Sequence, residues 1–140
     1  MMKVIKIFTD GGARGNPGPG AGAFVALDED GEVFERGGIF LGTTTNNQAE
    51  YNGVLLAFNF LKKLSGKPET VNFFLDSELI TNQLLGRYKI KDTKLQALAA
   101  QIKEIERELG IRINYSHIPR IENKLADFMV NRTIDKGMGK

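Results

Sequence analysis

Val4, Ile5, Ile7, Phe8 and Thr9 form a short run of β-branched, apolar and aromatic side chains, a composition that fits a pleated strand. Asp10 closes the run, Gly11 and Gly12 follow it, and Pro17 and Pro19 exclude a helix, so the pattern predicts a strand with a carboxylate at its tip and a Gly/Pro hairpin loop beyond. Residues 21–27 and 32–41 are again apolar-leaning and are split by Asp28-Glu29-Asp30-Gly31, which reads as strand, turn, strand. Connections this short permit only antiparallel pairing. The period then changes. Glu50, Val54, Ala57 and Leu61 recur at helical spacing, after a cap at Thr45 or Asn46 and before a stop at Ser65-Gly66-Lys67-Pro68, so a helix is expected to run to about Leu64. Glu50 continues the apolar stripe of that helix toward the sheet, and Gly53 beside it permits close packing.

Val71 to Leu75 are apolar at both parities, as in a strand buried on both faces, and the run again ends in an acid, Asp76. Ser77 can cap a short helix to about Leu85, and Gly86-Arg87-Tyr88-Lys89-Ile90-Lys91 is a basic connector into a helix from Thr93 to Leu109 that Gly110 ends. A fifth strand is expected over residues 111–116, a loop at His117-Ile118-Pro119-Arg120 and a last helix over residues 122–133, with Asn123 and Asp127 on one face at i, i+4. Alternating strands and helices in the second half imply right-handed crossovers and parallel pairing. The fold class is therefore α/β, a mixed five-stranded sheet of three antiparallel then two parallel strands, covered by helices. The expected organisation is one domain over residues 1–134 and a frayed tail over residues 135–140.

Composition narrows the chemistry. The 140 residues include no cysteine and one histidine, His117, which excludes disulfides, thiolate zinc sites and a thiol nucleophile. No apolar run is long enough for a membrane span, and the opening MMKVIKIF is too short and strand-like for a signal peptide, so a cytoplasmic protein is expected, with monomer the default state and no obligate protein partner implied. A net charge of +2 permits nucleic-acid binding without requiring it.

In open sheets of this kind, sites form beyond the carboxyl ends of the strands, where Asp10 and Asp76 are expected. If Glu50 and Asp127 converge with them, four carboxylates repel one another unless divalent cations neutralise them, and an all-oxygen set suits Mg²⁺ or Mn²⁺. Two such ions about 3.5–4 Å apart would suit in-line phosphodiester hydrolysis. Each acid also has a plainer reading. Asp10 and Asp76 can be strand-end turn residues, Glu50 the acid of a capping box, and Asp127 with Asn123 a solvated helix face. The Gly-rich loop lacks the Gly-Lys-Ser/Thr ending of a P-loop, and Arg87-Tyr88-Lys89-Ile90-Lys91 can be an ordinary surface connector.

Five blocks in order carry a resemblance across nearly the whole chain: Asp10-Gly11-Gly12, Gly15-Asn16-Pro17-Gly18, Thr45-Asn46-Asn47-Gln48-Ala49-Glu50, Asp76-Ser77, and His117-Ile118-Pro119-Arg120 with Asn123 and Ala126-Asp127. Together they resemble type 1 ribonuclease H. The resemblance implies that Asp10, Glu50, Asp76 and Asp127 hold two Mg²⁺ ions, with Mn²⁺ a possible substitute. It implies cleavage of the RNA strand of RNA–DNA hybrids, leaving 3′-hydroxyl and 5′-phosphate ends. His117 matches the family's loop histidine, which serves the leaving group or product release, and Arg120 is an alternative group for stabilising charge on phosphate. Gly11, Gly12, Asn16, Thr45, Asn46, Asn47 and Asn123 match positions that contact substrate. Two departures stand out: Thr43 replaces a basic residue frequent two positions before the phosphate-pocket threonine, and Arg87, Lys89 and Lys91 are all that remains of a longer basic protrusion. No hybrid-binding module is expected before the domain. Three competitors are a non-catalytic nucleic-acid-binding module, a nuclease for double-stranded RNA or DNA junctions, and a small-molecule phosphatase.

Overall fold

The computed structural model describes residues 2–140. The order of elements is β1 (Val4–Ala13), β2 (Gly18–Leu27), β3 (Val33–Thr44), α1 (Asn46–Lys63), β4 (Thr70–Leu75), α2 (Glu78–Leu84), α3 (Thr93–Leu109), β5 (Arg112–His117) and α4 (Lys124–Gly137), with a 3₁₀ turn at Arg120–Glu122 before α4. They build one five-stranded sheet in the order β3-β2-β1-β4-β5. The first three strands pair antiparallel, and β4 and β5 add in parallel through the helical crossovers. No helix among the described residues is long and apolar enough to cross a membrane.

The two sheet faces are covered differently. Against α1 and α3 lies the main core, with Ile5, Ile7, Phe73, Val54, Phe58, Leu61 and Ile102 all fully buried. The other face holds a smaller cluster in which Ala21 and Ala23 of β2 admit Val130 and Ile134 of α4. Helix termini follow local chemistry: Thr45 caps α1, Ser77 Oγ accepts from Ile80 N at 3.2 Å, and Gly110 closes α3 in the left-handed region at φ 62°. The capping box of α1 is completed by Gln48, which frees Glu50 from that task.

Several expectations need correction. Asp10 is not the tip of its strand, because β1 runs on to Ala13 along β2, with Asp10 opposite Ala23. The partner on the other side, β4, stops with Leu75 opposite Thr9, so Asp10 is the first residue of β1 whose outer edge is open. Similarly, β3 runs past the expected segment of residues 32–41 to Thr44 and pairs its end with Gly18 to Gly20. β4 is buried on one face only. Val71, Phe73 and Leu75 are inaccessible, whereas Asn72 on the opposite face accepts from Asn114 Nδ2 at 2.9 Å near solvent, since α4 packs over β1, β2 and β3. His117 ends β5 instead of opening the loop. α4 reaches Gly137, into the segment expected to fray, because Ile134 is buried in the second cluster and Asp135 pairs with Arg14 at 2.7 Å.

Candidate active site

The site begins where α1 meets β1 without intervening side chains. A Cβ on Gly11 would lie 2.2 Å from the carbonyl carbon of Ala49, and one on Gly53 would lie 2.5 Å from the backbone oxygen of Asp10. Helix backbone thus rests on strand backbone, and the first turns of α1 deliver Glu50 beside Asp10. Asp76 follows the last residue of β4, one strand over. Its position is set by Asn123, whose Nδ2 donates to Thr9 O at 2.8 Å and to Asp76 Oδ2 at 3.0 Å. As a result, Asp10, Glu50 and Asp76 each place a carboxylate oxygen within 4.8 Å of the others. Asp127 lies outside that tight group. It is exposed on the first turn of α4 and lines a cleft of about 270 Å³ together with Asp10, Gly12, Asn46, Glu50 and Arg120.

Electrostatics follow from this crowding. Burial, and after it the Asp76 charge, push Asp10 from 3.8 to about 7, while the Gly11 amide and Arg120 pull the other way. Glu50 is raised well above its ordinary value, first by burial and then by Asp10 and Asp76. Glu50 Oε2 is buried and accepts no hydrogen bond from the described residues. An orphaned carboxylate oxygen beside two more carboxylates is costly without a compensating positive charge. The donor set therefore fits a hard divalent cation, with oxygen ligands throughout and neither thiolate nor imidazole in the group.

Residues 8–133 match the family model described as "Reverse transcriptase-like". The "Ribonuclease HI" of Halobacterium salinarum is 30% identical over 131 residues, 94% of this chain and 64% of that protein. The "Bifunctional protein Rv2228c" of Mycobacterium tuberculosis is 38% identical over 135 residues, 96% of this chain and 36% of that protein, so the chain spans about a third of its length. LC11-RNase H1, isolated from compost by a metagenomic approach, has the same fold with a TM-score of 0.92 and 41% identity, covering 98% of this chain and 99% of that one. Its complex with an RNA/DNA hybrid matches with a TM-score of 0.88 and 40% identity over 96% of this chain and 99% of that one. The chain belongs to the ribonuclease H family.

Within this ribonuclease H fold the remaining expected residues separate. Arg120 lines the cleft and its charge lowers the pKa of both Asp10 and Glu50. His117 is exposed at the end of β5, opposite Leu75, and is not part of the cleft lining. Gly11, Gly12 and Asn46 line the cleft, and a Cβ on Gly12 would meet nothing within 4 Å. Asn46 Oδ1 accepts from Ala13 N, and Asn46 N donates to Asn16 Oδ1, both at 2.9 Å, which pins the β1–β2 hairpin to the start of α1. The Thr45 hydroxyl accepts from Gln48 N at 3.2 Å as the cap of α1, and Asn47 is exposed beside it. Asn123 departs most from expectation. At 1% exposure it cannot meet a substrate, and its amide holds Asp76 instead. Arg14 and Asn131 line the cleft without having been anticipated. Asn131 had a signal, since it repeats the four-residue step from Asn123 to Asp127, whereas nothing local marks Arg14.

Proposed function

We propose that the protein is a divalent-metal-dependent ribonuclease H that hydrolyses the RNA strand of RNA–DNA hybrids and leaves 3′-hydroxyl and 5′-phosphate ends. The observation that carries this reading is the convergence of Asp10, Glu50 and Asp76 within 4.8 Å, with one buried Glu50 oxygen left without a donor. Substrate class is supported by the hybrid complex of LC11-RNase H1, a protein 40% identical to this chain.

Asp10, Glu50 and Asp76 would hold the metal, with Asp127 at the rim as the fourth ligand of a two-ion set, Mg²⁺ by preference and Mn²⁺ as substitute. When bound, the ions supply Lewis-acid charge at the attacking and leaving oxygens of an in-line displacement. The chain's own groups do the rest. Gly12 leaves room for a nucleic-acid backbone to approach the acids, and Asn46, fixed by Asn16 and Ala13, presents its free amide N–H groups to a ribose. Arg120 places positive charge beside the scissile phosphate, and His117 delivers a proton to the leaving 3′ oxygen or assists product release. Asn123 acts as a positioning residue that keeps Asp76 turned toward Asp10. The enzyme works as a monomer.

A single digest tests this. Labelled hybrid, duplex RNA and duplex DNA are incubated with Mg²⁺, Mn²⁺ or chelator, and product ends are read on the same gel. Metal-dependent cutting of the hybrid's RNA strand is expected; cutting in chelator, or a preference for duplex RNA, refutes the assignment. His117→Ala in the same assay should slow turnover with an unchanged Mg²⁺ titration, and full turnover would remove His117 from the mechanism.

A further inference from the structure

Helix α4 has two working faces. Asp127, Val130, Asn131 and Ile134 turn toward the cleft, whereas Leu125, Phe128, Arg132 and Lys136 line a groove on the opposite side of the helix, against β2 and β3. We propose that this groove docks an acidic peptide segment of a partner protein, anchored by one large apolar side chain.

Leu125 and Phe128 are 55% and 60% accessible, one helical turn apart, on a surface where a solvent-facing helix would place polar groups. Between them and β3 is a depression of about 360 Å³, room for a large side chain. A second depression, formed by Gly38 and Phe40 of β3, shares Met129, Arg132 and Lys136 with the first, so the trough continues along the helix as an extended segment would need.

Charge identifies the occupant. The ionisable residues lining the two depressions are Arg36 in the first and Arg132 and Lys136 in both, all cationic, and none of them forms an ion pair among the described residues. The acid that α4 carries nearby, Asp135, is engaged by Arg14 instead. Three unpaired cations around an apolar floor complement carboxylates flanking an apolar anchor. A second copy of this chain fits poorly, because a two-fold pairing through the groove would set these cations against themselves. Nucleic acid fits less well than peptide, since the first depression is lined by Val25, Val33, Leu125 and Met129 with Phe128 as its one ring, and Phe40 is the one ring of the second. Because the groove and the cleft use opposite faces of α4, docking leaves the cleft open.

The test is fluorescence anisotropy with a labelled octapeptide, three acidic residues on either side of a Phe-Leu pair, alongside a Ser-Ser version and a version with its acids replaced by amides. Saturable micromolar binding of the first peptide alone is expected, weakening with salt and about tenfold or more in Arg132→Glu. Phe128→Ser should weaken it as well. Both side chains are exposed, so unchanged thermal melts should confirm folding, and Lys136→Glu serves as a second charge reversal. Equal binding of the Ser-Ser peptide, no effect of either reversal, or absence of saturation overturns the proposal. Displacement of the peptide by single-stranded DNA in an Arg132-dependent way would make the groove a nucleic-acid surface, and sedimentation showing self-association through Phe128 would make it a dimer interface; either overturns it too.

Discussion

At Asp10 a single carboxylate couples stability to pH. Its pKa of about 7 in the folded chain stands above the ordinary 3.8, so between those values the folded state binds more protons than the unfolded state. Metal-free stability must then fall as pH rises through that window, and Glu50, also raised, adds in the same direction. Thermal melts in chelator should show this decline from about pH 4 to about pH 7, and saturating Mg²⁺ should reverse it, since a bound cation replaces the proton. Asp10→Asn isolates the effect. It should raise Tm in chelator at pH 8 by about 3–8 °C, flatten the pH dependence relative to wild type, and abolish cleavage. A variant that still cuts hybrid, or that melts lower, would contradict the assignment of Asp10.

At the scale of elements, the seat of α1 on β1 decides whether the acids meet. Gly→Ala inside a helix normally adds about 1 kcal/mol of stability. At Gly53 the new methyl would press on Asp10 O at 2.5 Å, backbone against which nothing can rotate away, and overpacking of this kind costs about 1–3 kcal/mol or more. The clash should win. Gly53→Ala is expected to lower Tm and, by lifting α1, weaken Mg²⁺ binding measured by calorimetry. Gly12→Ala makes the contrasting case, because its Cβ meets open cleft. It should melt like wild type yet bind hybrid less tightly, and a loss of stability there would mean that Gly12 faces protein and not substrate.

Across the whole molecule, hybrid affinity should be modest and salt-sensitive in a way set by few cations. The basic connector is pinned through its backbone: Tyr51 Oη donates to Gln83 Oε1 at 2.7 Å, Gln83 Nε2 donates to Lys89 O at 3.4 Å, and Gln96 Nε2 donates to Ile90 O at 2.7 Å. Arg87, Lys89 and Lys91 are left exposed on this fixed ledge. Plots of log affinity against log salt should lose about one unit of slope for each of Lys89→Ala and Lys91→Ala that removes a phosphate contact. Unchanged slopes would assign the connector to an ordinary solvated surface.

The elements themselves were legible along the chain, because period, caps and stops arise from contacts among near neighbours. Thr45, Ser77 and Gly110 end their helices where their chemistry requires, and the inward stripe carrying Glu50 is visible in four residues. Distances between remote residues have no such local cause. That β4 stops one residue short of Asp10, that Asn123 turns inward to hold Asp76, and that Arg14 reaches Asp135 depend on strand register and on where two helices settle. The sequence alone determined which acids were available and on which elements they ride; tertiary packing decided that Asp10, Glu50 and Asp76 bring carboxylate oxygens within 4.8 Å of one another while Asp127 stays exposed on α4, because only the assembled sheet seats α1 on β1 at Gly11 and Gly53 and sets β4 beside β1.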